Sequence, residues 1–187
     1  LDMGQAYERL KQPLDALLQY KEVTRIDPDH LEAYRRMGSI NVNLKKYGPA
    51  AKAFREMVRI NPKDSKSHFL LANAYLKLGN VEKAVESYLA GLKHRPKDGR
   101  ALEALGQAYI RKKELNKAIS PLKKAIAINK KLGWAHFYLG HVMVKLGRYL
   151  EAIDPLKTAI KLLPDHSDSR KVLGTAYGKL NRSKEAI

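Results

Sequence analysis

The chain has 187 residues, no cysteine, and a formal charge of +17 from 36 Lys and Arg against 19 Asp and Glu. The lack of cysteine excludes a disulfide framework and a thiolate metal site. No run approaches the roughly 18 consecutive apolar residues that a membrane-spanning helix needs, and a hydrophobic fraction of 44% argues against disorder.

In chain order, Leu1-Asp2-Met3-Gly4 has no features of a signal peptide and reads as the middle of a helix. Glu185-Ala186-Ile187 likewise stops inside a pattern, so a fragment of a longer chain is expected. Between these ends a step of 34 residues recurs: Pro28, Pro62, Pro96 and Pro164 share one ladder, with Lys130 on the vacant rung. Gly4, Gly38, Gly106, Gly140 and Gly174 form a second, with Ala72 in the gap, and Ala16, Ala50, Ala84, Ala118, Ala152 and Ala186 a third. Tyr7, Tyr75, Tyr109 and Tyr177 form a fourth, broken by Asn41 and Met143, and Met3, Met37, Leu71, Leu105, Leu139 and Leu173 a fifth. Several ladders in phase mark a tandem repeat.

One period, residues 65–98, shows the local logic. Ser65 is a candidate helix cap. Leu71, Ala72, Tyr75 and Leu78 recur at helical spacing, and Gly79-Asn80 breaks the helix. Val81, Ala84, Val85, Tyr88 and Leu92 mark a second apolar face, which Arg95-Pro96 ends because the residue before proline avoids the helical region. Each period is therefore two antiparallel helices, with the small Gly or Ala where their backbones approach. Pro49 lies near a helix start, where proline is tolerated, whereas Pro121 and Pro155 lie inside second helices and are expected to kink them. Asn41 and Met143 are expected to loosen or rearrange packing.

Ala72, Tyr75, Ala84, Tyr88 and Pro96, and their counterparts in every period, resemble the tetratricopeptide repeat family. The resemblance covers the whole chain: a partial repeat at 1–30, full repeats at 31–64, 65–98, 99–132 and 133–166, and a partial repeat at 167–187. It implies an all-α fold, a right-handed superhelical solenoid in a single domain, with first helices lining a concave groove. By the same resemblance, the groove residues on the first helices are Arg35, Lys66, Phe69, Asn73, Lys77, Arg100, Gln107, Arg111, Trp134, Phe137, His141, Lys145 and Lys171. Glu32, Glu103 and Asp168 partly offset the positive charge. Trp134, Phe137 and His141 stand at steps of three and four and should share a face, either as partner anchors or as core under a neighbouring helix. The Lys and Arg at helix ends are accounted for in part by the helix dipole.

The pattern excludes sharper chemistry. There is no phosphate-binding loop or dinucleotide fingerprint, His136 and His141 lack metal-protease spacing, and no acid/base pair stands out. Asn181-Arg182-Ser183 matches a glycosylation acceptor, a match frequent by chance. The carboxylate-clamp set of chaperone-tail binders is missing, because neither Arg35 with Ser39 nor Phe69 with Asn73 supplies it. The expected function is a non-catalytic protein-interaction scaffold, without a cofactor, for acidic partner segments. The alternatives are the substrate-selecting arm of a larger enzyme, such as a glycosyltransferase, and a basic solenoid that binds nucleic acid. Self-association through the repeat ends is compatible with each. The lack of cysteine favours the cytosol, with the compartment otherwise open.

Overall fold

The start and stop signals recur every 34 residues, so the same two-helix unit forms again and again. The computed structural model describes residues 1–180, and among them every regular element is a helix. The first helices of the repeats are α1 (Asp2–Arg9), α3 (Leu31–Asn43), α5 (Ser65–Leu78), α7 (Gly99–Arg111), α9 (Gly133–Lys145) and α11 (Ser167–Lys179). The second helices are α2 (Pro13–Ile26), α4 (Tyr47–Ile60), α6 (Val81–His94), α8 (Leu115–Ile128) and α10 (Tyr149–Leu162). Ala186 and the Asn181-Arg182-Ser183 acceptor lie outside the described residues.

First helices begin on one ladder of caps. Asp64 accepts from the Ser67 N–H at 2.9 Å, Asp98 from the Ala101 N–H at 2.9 Å, and the His30 Nδ1 from the Ala33 N–H at 3.2 Å. The cap of α5 is thus Asp64 and not Ser65, which is the first helical residue. A carboxylate accepts the orphan N–H groups of the first turn and also opposes the positive end of the helix dipole. The same helices end alike. Gln12, Lys46, Asn80, Glu114 and Arg148 each donate an N–H to the carbonyl five residues earlier, at Tyr7, Asn41, Tyr75, Tyr109 and Met143, all at 2.8–2.9 Å. This bond requires a left-handed residue just before the donor, supplied by Gly79 (φ 85°) and Gly147 (φ 74°), but also by Lys11, Lys45 and Lys113 (φ 57°, 56° and 63°). The lysines adopt it at a steric cost of about 1–2 kcal/mol each.

α8 and α10 continue past Pro121 and Pro155 as single helices. The carbonyls deprived of a donor belong to Lys117 and Glu151, both exposed, so solvent can reach them. Met143 is fully packed at 1% exposure, whereas Asn41, at 6%, turns its Nδ2 back to the Met37 carbonyl at 2.8 Å.

The helices group into two compact units, Leu1–His94 and Arg95 onward. In the first, Gly4 lies under the ring of Tyr20 and Gly38 under that of Phe54. A Cβ on Gly38 would meet the Phe54 ring at 2.2 Å. Around these crossings Ala16, Ala33 and Ile40 form one buried cluster, and Ala50, Ala51, Met57, Leu71 and Ala74 another. In the second unit, Leu122 covers Gly106 and Leu156 covers Gly140, where a Cβ would stand 2.5 Å from either Leu Cγ. Tyr20, Phe54, Tyr88, Leu122 and Leu156 are themselves one ladder of step 34, and all are essentially inaccessible.

Gly38→Ala is therefore expected to destabilise the fold by about 1–3 kcal/mol through overpacking. Gly48, also helical but with no described atom within 4 Å of its Cβ position, is the control. Gly48→Ala should leave stability unchanged or raise it by up to about 1 kcal/mol. Urea denaturation of the two variants checks the contrast.

Candidate functional site

In the first unit the first helices α3 and α5 bring four polar side chains together: Ser39, Asn43, Asn73 and Lys77 line one cleft of about 320 Å³. Its floor is apolar, built from Val42, Leu70, Ala74 and Phe54. Helical spacing explains the convergence, since residues 39 and 43, and 73 and 77, are one turn apart on their helices. The Tyr88 hydroxyl donates to the Asn73 Oδ1 at 2.6 Å, which fixes the amide and leaves its Nδ2 to donate outward. Lys77 is exposed at the mouth.

Other expected groove residues of this unit are committed locally. Arg35 forms a two-pronged ion pair with Glu32, one arm at 2.6 Å, and Glu32 also accepts from the Arg36 Nε at 2.7 Å. The bond from Arg35 holds the Glu32 carboxyl down at about 2, so its charge persists and neutralises that of Arg35. Phe69 lies on Gly91 of α6, where a Cβ would meet the ring at 2.4 Å, and 6.4 Å from the Tyr88 ring centroid. The repeat counterparts Met57, Ala125 and Ala159 have side chains where Gly91 has none, so the ring has room to settle into the hairpin. Lys66 remains exposed in the first turn of α5.

In the second unit Trp134, Phe137 and His141 do share a face of α9. Trp134 and Phe137 meet edge to face at 6.0 Å, and Phe137 stacks on His141 at 5.8 Å and 11°. Two members of the cluster were not foreseen from the sequence. Tyr138 lies 5.9 Å from Trp134 and 5.5 Å from Phe137, and His166, the residue preceding α11, contacts Trp134 at 4.6 Å and Phe137 at 4.5 Å. The sequence signal for His166 is its place on the cap ladder of His30, Asp64, Asp98 and Leu132, and its Nδ1 lies 2.8 Å from the Ser169 hydroxyl. The cluster is thus anchored by neighbouring helices, yet Trp134 keeps 42% of its surface in solvent.

Gln107 donates its Nε2 to the Tyr138 hydroxyl, which ties α7 to α9. Glu103 accepts from the Ala135 N–H. That is the first-turn donor which Leu132, at the cap position, has no oxygen to satisfy. Burial pushes the Glu103 carboxyl up, against this bond and the nearby Arg100. Burial likewise pushes the His141 imidazole down, aided by Lys145 and opposed by Asp168. Arg100, Arg111, Lys145 and Lys171 are exposed, with Lys171 3.4 Å from Asp168. Among the described residues no three His, Asp or Glu side chains converge as a metal site would require, and no helix is long and apolar enough to cross a membrane.

The two perturbed groups bend the pH profile in opposite directions. The folded-state pKa of His141 lies below the ordinary 6.5. Between the two values the unfolded chain binds more protons, so its contribution to stability is full above the ordinary value and is lost as pH falls. The loss of stability between about pH 7.5 and pH 5 should be smaller in His141→Gln than in the wild type, and equal losses would contradict this. Glu103 is raised above 4.5, so its carboxylate weakens the fold as pH climbs through that window. Glu103→Gln, which keeps an acceptor for Ala135, should be more stable than wild type near pH 7 and lose that advantage below about pH 4. Thermal melts across pH check both.

The family described as tetratricopeptide repeat matches residues 1–65 and 69–133. No curated protein matches the sequence significantly. Similar solved structures include MamA, at 20% identity over 90% of this chain and 98% of that one, with a TM-score of 0.82. MamA 41-end from Desulfovibrio magneticus RS-1 shares 24% identity over 88% and 93%, with a TM-score of 0.78. YrrB, described as a TPR protein with an unusual peptide-binding site, shares 18% over 90% and 87%, with a TM-score of 0.79. At these identities the structures speak for the fold alone. The sequence match spans well over half of the residues, and the chain belongs to the tetratricopeptide repeat family.

Proposed function

We propose that the chain is a non-catalytic scaffold whose first-helix faces bind acidic segments of partner proteins. The observation that carries this reading is the convergence of Ser39, Asn43, Asn73 and Lys77 over an apolar floor. Side-chain amides and hydroxyls bond the backbone of an extended segment, the floor takes apolar side chains, and Lys77 favours a carboxylate. In the second unit the exposed part of Trp134, held by Phe137, Tyr138 and His166, offers a rigid aromatic anchor. Arg100, Arg111 and Lys145 add exposed positive charge on the first helices of this unit, with Lys171 partly offset by Asp168 at 3.4 Å. Lys66 adds exposed positive charge at the start of α5, whereas Arg35 contributes little because Glu32 neutralises it. The peptide-binding description of YrrB fits this reading.

A surplus of lysine charge speeds encounter and is screened by salt. Binding of acidic peptides, followed by fluorescence anisotropy, should therefore weaken roughly tenfold or more between low and high salt. The double variants Asn73→Ala/Lys77→Ala and Trp134→Ala/Phe137→Ala should each lower affinity for the peptides that use their cleft. Affinity that is flat with salt, and equal in wild type and both variants, would overturn the reading. Recovery of nucleic acid alone, with equal yield from all three, would replace it with a nucleic-acid function.

A further inference from the structure

We propose that the second helices of the first unit form a separate docking surface for an acidic amphipathic helix, centred between α2 and α4. A cleft of about 680 Å³ opens there, walled by Leu14, Leu17 and Leu18 of α2 and by Pro49 and Ala53 of α4. Asn41 of α3 is at its base. Four other repeats carry Tyr7, Tyr75, Tyr109 and Tyr177 at this ladder position. The shorter amide turns back to the Met37 carbonyl at 2.8 Å and does not fill the volume of a phenol ring.

The leucines are not required by the repeat. Leu14 and Leu18 are each 63% exposed, one turn apart on α2. The step of 34 puts Lys52, Glu86, Ser120 and Asp154 in the place of Leu18, so this position is otherwise a solvated one. Leu14 corresponds to Gly48, Glu82, Asn116 and Leu150. Paired exposed leucines beside an open cleft mark a surface that interacts with something apolar.

The rim states the charge of the occupant. Lys21, Lys46, Lys52 and Arg55 line the cleft and are exposed, and among the described residues no carboxylate pairs with any of them. The one acidic lining residue, Glu56, is taken by Arg59 at 2.7 Å. An apolar floor with an uncompensated basic rim fits a helix that presents Leu, Ile or Met at three- and four-residue steps with Asp or Glu beside them. A nucleic-acid backbone would satisfy the rim but leave the leucines in water. This surface uses residues 34, 37 and 41 of α3, a different face from residues 39, 42 and 43 of the first-helix cleft, so the two surfaces stand or fall separately.

The test is selection of a displayed library of random peptides, about four to five helical turns long, against the full chain. The expected ligands combine acidic residues with an apolar helical stripe. Their affinity should fall roughly tenfold or more with Leu14→Ser/Leu18→Ser, and likewise with Lys52→Ser/Arg55→Ser, but not with Asn73→Ala/Lys77→Ala. All the substituted side chains at this surface are exposed, and an unchanged circular-dichroism melt confirms that each variant folds. Selected peptides that lack this pattern, or that bind the leucine variant as tightly as wild type, would overturn the proposal. A single-stranded oligonucleotide whose binding is lost in the leucine variant would overturn it too, by making the surface a nucleic-acid site.

Discussion

The structure depends on one contact repeated every 34 residues: a residue without a side chain, or with only a methyl, on the first helix, covered by a ring or a leucine from the second. Gly4 under Tyr20, Gly38 under Phe54, Gly106 under Leu122 and Gly140 under Leu156 all show it. With Cβ contacts of 2.2 to 2.6 Å, no larger residue fits without moving the helices apart. The contact sets the approach of the two helices and leaves the outward faces of both free to vary.

That freedom is where the chemistry lies, and it is distributed unevenly. Half of the arginines are engaged within the chain: Arg25, Arg35, Arg36, Arg59, Arg95 and Arg148 hold carboxylates. Their planar forks suit two-pronged pairing with Glu and Asp. The surplus that makes the chain basic is therefore displayed mostly by exposed lysines, whose charge is long-ranged but weakly directional. Such a surface attracts acidic partners before any specific contact forms, and the local clefts then select among them.

The all-α repeat was legible because five ladders ran in phase, and the helix ends followed from Gly79-Asn80 and Pro96. Less legible was anything decided by a partner distant in sequence. Lys11, Lys45 and Lys113 occupy the left-handed turn position that glycine fills at 79 and 147, and no propensity rule would place lysine there. Glu103, at an expected groove position, instead caps α9 because Leu132 has no oxygen to offer. Phe69 sinks into its own hairpin because residue 91 is glycine. His166 joins the aromatic cluster from the residue before the next helix, a relation visible only once the cap ladder is drawn. The spacing that placed Trp134, Phe137 and His141 on one face held, because it depends on a single helix.

The central claim is that polar side chains of successive first helices act together on one bound segment. The most direct measurement is an NMR titration of the labelled protein with an acidic peptide that binds it. The account predicts that the side-chain amide of Asn73 and the backbone amides around Ser39, Asn43 and Lys77 shift together, with one common affinity. Shifts spread over exposed lysines without saturation, and with Asn73 unmoved, would show a diffuse charge effect and contradict it.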